Sequence, residues 1–160
     1  MPKAASPLKP DEPEAYFNLG AALANSGHYV EAAQRLLEAK ERHRVGSEGW
    51  AQATAVAFLT LTKEACAVVA KPEWWSYEGL KALSMRVVRA APDDVVAAEM
   101  RAVVLSGQSC GWEAFGPRSA AELREAATHW ERAAALCPAP ALKANHAAAA
   151  AWCRLQAQAM

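Results

Sequence analysis

Residues Glu14 to Ala39, EAYFNLGAALANSGHYVEAAQRLLEA, carry two apolar stripes separated by a tight turn. Tyr16, Leu19, Gly20 and Leu23 recur at helical spacing, and so do Ala32, Leu36 and Ala39. Ser26-Gly27 interrupts the pattern between them, as small turn residues do. The stretch predicts a helix, a turn and a second helix. Small residues face large ones, so two antiparallel helices can approach closely.

The same alternation extends outward. Trp50 stands 34 positions after Tyr16, behind Ser47 as a candidate helix cap and Glu48 at the positive end of the helix dipole. Trp50, Ala53, Ala57 and Leu61 form a stripe, and the helix is predicted to run on to about Ala70 before Lys71-Pro72-Glu73 breaks it. A helix from Trp75 or Ser76 carries Leu80, Leu83, Val87 and Val88 and ends at Ala91-Pro92. The next begins at Asp93 or Asp94, carries Val96, Met100, Val103 and Val104, and stops at Ser106-Gly107. A loop containing Trp112 and Phe115 leads to Ser119 and Glu122, an S-x-x-E capping box. The helix after it carries Ala126, Trp130 and Ala133 and ends before Pro138. A final helix is expected from about Ala141 to Ala157.

This pattern resembles the tetratricopeptide repeat (TPR), W-x2-L-G-x2-Y, then A-x3-F, then P. Tyr16 stands for the Trp, Leu19 and Gly20 match, and Leu23 replaces the Tyr. Gly27, Tyr29, Glu31 and Ala32 match the usual turn, Leu36 replaces the aromatic of the second helix, and Arg44 stands where the closing Pro is expected. Ala126, Trp130, Ala133 and Pro138 reproduce the second half of a repeat. The middle unit is degenerate, with Ala53-Thr54 in place of Leu-Gly. The resemblance implies an all-α fold: a short right-handed α-solenoid of about three TPR-like helix pairs plus a C-terminal capping helix. It covers residues 13–157 as one domain, behind a Pro-rich, charged lead-in, residues 1–12, expected to be flexible.

Composition narrows the function classes. The 160 residues are 53% hydrophobic with formal net charge zero, which argues for a packed chain and against a duplex-binding or anionic-membrane surface. Residues 1–12 lack the apolar core of a signal peptide, and Ala51 to Thr62 is too short to span a bilayer. The four cysteines form no C-x-x-C pair and read as reduced thiols, so an intracellular, cytoplasmic chain is expected, or an organellar one if a transit peptide has been removed. The four histidines show no metal-ligand spacing, so neither metal nor cofactor is expected. No phosphate-binding loop, nucleophile elbow or paired-carboxylate signature is present, which argues against an enzyme.

TPR-like domains bind peptides or helices of other proteins in a groove lined by the first helix of each pair. By register that groove would present Phe17, Ala21 and Asn25, then Ala55, Phe58 and Leu59, then Arg101 and Val104. It is mainly apolar with acids at one rim, which suits an apolar or amphipathic segment. The residues that clamp chaperone C-terminal carboxylates are replaced by Phe17, Ala21, Gln52, Asp94 and Ala98, so binding of chaperone tails is not expected. A second candidate surface is the aromatic loop edge of Trp74, Trp75, Trp112 and Phe115. The resemblance thus implies a non-catalytic interaction scaffold, an adaptor or subunit of a larger assembly. A constitutive structural subunit with a self-filled groove stands beside it, in which the rings fold back over the helix ends.

Overall fold

Seven helices account for most of the residues described by the computed structural model, 12–108 and 117–160. They are α1 (Pro13–Asn25), α2 (Tyr29–Arg42), α3 (Glu48–Leu61), α4 (Tyr77–Ala90), α5 (Val95–Ser106), α6 (Ala120–Leu136) and α7 (Pro140–Gln158). The chain is all-α, and its helices pack in sequential pairs, with α3 also touching α5. The expected lead-in, apart from Glu12, and the loop residues Trp112 and Phe115 lie outside the described residues.

The sequence signals act where their chemistry places them. Pro13 opens α1 at a position whose N–H has no helical partner. Gly27 takes a left-handed φ of 83°, and the His28 N–H closes the turn on the Leu23 carbonyl at 2.8 Å. Ser47, Ser76 and Asp94 cap α3, α4 and α5 by accepting from backbone N–H groups three residues on. At α6 the Ser119 hydroxyl accepts from the Glu122 N–H while the Glu122 carboxylate accepts from the Ser119 N–H, a complete capping box. Gly20 is buried, and a Cβ there would lie 2.7 Å from Leu36 Cγ, so α1 and α2 approach as closely as they do only because the position has no side chain.

One helix is shorter than its pattern. The sequence predicts a helix running to about Ala70, but α3 ends at Leu61. Thr62 donates to the Leu59 carbonyl at 2.5 Å, Lys63 is extended (φ −67°, ψ 146°), and residues 64–66 form a single 3-10 turn. Hydroxyls that bond the preceding turn compete with the helix ladder. Lys71 then donates to the carbonyls of Cys66 and Val69 at 2.6 and 2.8 Å, holding the turn shut. The freed segment brings Trp74 and Trp75 against the core.

The largest apolar cluster runs through α3 to α7 and includes Trp50, Phe58, Leu80, Val87, Met100, Leu105, Leu123 and Trp130. Smaller clusters join α1, α2 and α3 through Tyr16 with Ala39 and Ala53, and through Ala32, Leu36 and Ala57. α4 and α6 run side by side in the same direction: Tyr77 and Lys81 meet Glu122 near their starts, and Asp93, just past α4, meets Arg132 near the end of α6. α5 lies antiparallel to α6, with Arg101 on Glu125 and Arg118 donating to the Val104 carbonyl. α7 docks through His146, whose ring stacks on Trp130 at 5.3 Å, and through an Arg154–Glu131 ion pair at 2.6 Å.

Candidate functional site

The sequence-predicted groove residues separate into two groups. Phe17 and Ala21 on α1 and Leu59 on α3 are half-buried, and Asn25 is exposed. Ala55, Phe58 and Val104 are fully buried and Arg101 is 4% exposed, so these four present no surface to a partner. The cause is visible in α3 and α5. Both are apolar around most of their circumference, so their periodicity does not select an outward face. Phe58 turns toward the Trp75 ring, 5.3 Å between centroids, and Ala55 and Val104 sit in the same cluster. On α3 the partly open line is instead Glu48, Gln52, Val56 and Leu59.

The open line borders two recesses at the N-terminal ends of α1, α3 and α5. One, of about 270 Å³, is lined by Glu14, Phe17, Asn18, His43, Gly49 and Gln52. The other, of about 240 Å³, is lined by Glu48, Gln52, Ala91, Pro92, Asp93 and Asp94. Gln52 stands between them. Within the first recess the His43 ring lies directly against Gly49: a Cβ there would meet His43 Cε1 at 2.3 Å. Helix dipoles favour carboxylates at these N-terminal ends, which places the acids of three helices along one edge. Phe17 supplies apolar surface beside them.

Trp74 and Trp75 are half-buried and braced. Their rings lie 5.8 Å apart, Trp75 packs on Phe58, and Lys40 lies 5.6 Å from the Trp74 centroid and 5.9 Å from that of Trp50. The two rings tie α2, α3 and α4 together. Burial depresses the Lys40 ammonium, with Glu41 opposing and Arg86 adding to the effect.

A polar network that the sequence pattern does not reveal fills the space between α4, α5 and α6. Arg101 donates to Glu125 Oε2 from Nε (3.1 Å) and from its terminal nitrogen (3.0 Å), to the Lys81 carbonyl (2.7 Å) and to Ser84 Oγ (3.0 Å). Next to it the Tyr77 hydroxyl donates to Glu122 at 2.5 Å, Lys81 adds a bond at 3.3 Å, and the Arg118 guanidinium lies 4.4 Å from the Tyr77 centroid. Burial acts to raise Glu122, but hydrogen bonds from Ser119, Tyr77 and Lys81 outweigh it and hold the carboxyl at about 2. Burial, and then the bond to Glu122, push the Tyr77 hydroxyl well above its usual range. A lone Arg inside an apolar stripe was the one available signal, since buried Arg requires partners.

Among the described residues no group of three or more His, Cys, Asp or Glu is placed to hold a metal ion, and no helix is long and apolar enough to cross a membrane. Cys66, Cys137 and Cys153 are buried free thiols. No family model matches the sequence, and no curated protein or solved structure matches the chain.

Proposed function

We propose that the chain is a short TPR-like solenoid that acts as a non-catalytic interaction module, an adaptor or assembly subunit. Its binding edge is formed by the N-terminal ends of α1, α3 and α5, and it takes a basic amphipathic segment of another protein. The repeat reading is supported by the Gly20–Leu36 close approach, by the parallel course of α4 and α6, and by the α3–α5 contact. The observation that carries the binding reading is the recess in which Phe17 lies beside Glu14 and Gln52, continued by Glu48, Asp93 and Asp94. Apolar side chains of the segment pack on Phe17, and its Lys or Arg residues pair with the acidic edge. Because Ala55, Phe58 and Val104 are covered, the middle of the expected groove takes no part.

Selection of a random peptide library on the wild-type chain, with counter-selection on a Phe17→Asp, Glu48→Lys double variant, tests this. Glu48 is exposed but Phe17 packs partly on the clusters around Tyr16 and Leu36, so a melting curve of the variant at the selection temperature checks that it is still folded. The expected consensus places Lys or Arg at helical spacing beside Leu or Phe. An acidic consensus, a requirement for a free C-terminal carboxylate, or equal recovery on both proteins contradicts the proposal.

The filled core favours one second reading, that of a structural subunit held through its surface and not through a groove. Peptide selection without enrichment, combined with stoichiometric co-purification that survives Phe17→Asp, would support that reading instead.

A further inference from the structure

A third recess lies between α4 and α6, where Ala91 and Pro92 separate it from the acidic edge and line both. At about 360 Å³ it is larger than either recess of that edge. Its character is also different. Val88 in the last turn of α4, then Ala91 and Pro92, and Ala98 from α5 give it apolar walls. The two alanines are almost fully buried and form the floor, while Thr128 stands exposed at the mouth.

The polar side comes from α6. The Thr128 hydroxyl donates to the Arg124 carbonyl at 3.2 Å, and His129 Nε2 lies 3.3 Å from Glu125, so both groups are engaged within their own helix. Burial lowers the His129 imidazole more than Glu125 raises it, with Arg101 adding to the lowering, so the ring is a flat, uncharged wall at neutral pH. The cation facing the recess is then Arg132. One of its terminal nitrogens donates to Asp93 at 2.5 Å and to the Pro92 carbonyl at 3.4 Å. Its other terminal nitrogen and Nε have no partner among the described residues. Donors of a planar fork therefore stay open beside an apolar hollow.

That combination selects a ligand. A guanidinium fork matches a carboxylate, and the chain displays the match itself, because the Asp93 carboxylate, 81% exposed, rests on Arg132. Asp94 is turned to the Ala97 N–H as a helix cap, and Glu48 lies across Pro92 in the acidic recess. These acids disfavour a ligand with more than one negative charge. The volume suits a single ring or a short alkyl chain, at the lower end of small-molecule sites.

We propose that this recess binds a small amphipathic monocarboxylate, its apolar body against Val88, Pro92 and Ala98 and its carboxylate on Arg132. Without ligand, Asp93 occupies Arg132 as an internal competitor. An exposed ion pair is weak, so the exchange is easy and burial of the apolar body supplies the affinity. The inference does not rest on the peptide-binding proposal. Asp93 belongs to both surfaces, and its neutralisation acts in opposite directions: a basic peptide is held less tightly, a carboxylate more tightly.

The probe is hydrocinnamate, titrated into the isotope-labelled chain and followed by backbone NMR, with hydrocinnamide and acetate as the controls lacking charge and apolar body. Saturable shifts should centre on Val88, Ala98, Thr128 and Arg132, with a dissociation constant of about 0.1–1 mM and each control roughly tenfold weaker or worse. Arg132→Gln should weaken binding by about fivefold or more. Thr128→Phe should close the mouth and abolish it. Asp93→Asn should tighten it by about two- to fivefold, since the competing carboxylate is gone. All three positions are exposed, and melting curves check that each variant is folded. A merely structural Asp93–Arg132 pair would move Asp93→Asn and Arg132→Gln in the same direction. The proposal is overturned by shifts that do not saturate up to about 10 mM, by equal affinity for the amide, or by an Asp93→Asn variant that binds no better than the wild type.

Discussion

Glu125→Ala should destabilise the chain more than removal of Glu125 and the Arg101 charge together. The Arg101 guanidinium is 4% exposed and makes four hydrogen bonds, two of them to Glu125. Deleting the carboxylate leaves a buried cation with only the Lys81 carbonyl and Ser84 as acceptors. Breaking a fully buried pair costs about 3–5 kcal/mol. Glu125 is 46% exposed, so water replaces part of what is lost, and about 1.5–2.5 kcal/mol is the appropriate figure. Arg101→Met keeps the aliphatic stem and removes the charge. The Ser84 hydroxyl still reaches the Lys81 carbonyl at 3.3 Å, so few polar groups are orphaned and the change should cost only about 1 kcal/mol. With Arg101→Met in place, Glu125→Ala should be nearly silent. Urea unfolding of the four proteins, at matched m-value, gives the coupling. In thermal melts Glu125→Ala alone should lower the midpoint by about 4–8 °C. A neutral Glu125→Ala, or single effects that simply add, would refute the reasoning.

Three further outcomes follow from single sites. Gly20→Ala should destabilise by about 1–3 kcal/mol in urea melts, because its Cβ must displace Leu36; a neutral result would mean that α1 and α2 are not in close approach. Phe58→Ala should cost about 3–5 kcal/mol and leave peptide capture by the acidic edge intact, whereas loss of capture at unchanged stability would return Phe58 to an open groove. Glu122 has a folded-state pKa of about 2, below its ordinary 4.5, so its contribution is complete above about pH 5 and is lost as pH falls toward 2. Discounted for solvent screening at this partly open carboxylate, that fall should amount to about 1–2 kcal/mol, and Glu122→Gln should flatten this part of the stability profile. An unchanged profile in the variant would remove Glu122 from the account.

The helix signals of this sequence are local, and that is why they were legible. Ser47, Asp94, Ser119 with Glu122, Gly27 and Gly107 act on backbone groups within a few residues, and each ends or starts a helix where its chemistry predicts. α3 stops short of Ala70 because Thr62 bonds back to the Leu59 carbonyl, an end that apolar content alone does not mark. The outward face of α3 and α5 was not legible for a different reason. Ala51, Ala53, Ala55 and Ala57 leave α3 apolar around most of its circumference, so the positions of α2, α4 and α5 around it decide which of its apolar positions stay open. Arg101 shows the same limit. It sits at a groove position by register, yet its partners come from residues 17 to 24 positions away on two other helices. The acids at one rim could be anticipated because N-terminal helix turns favour them; the recess between them includes Gly49 and His43, whose contact no spacing rule gives.

The most direct test of the central claim, that the open edge of α1, α3 and α5 is the binding surface, is a backbone NMR titration. The isotope-labelled chain is titrated with the basic amphipathic peptide that peptide selection enriches most. Saturable shifts should centre on Glu14, Phe17, Asn18, Glu48 and Gln52, with Phe58 and Val104 unmoved. Shifts centred on α6 or α7, or throughout the buried cluster around Phe58, would contradict it.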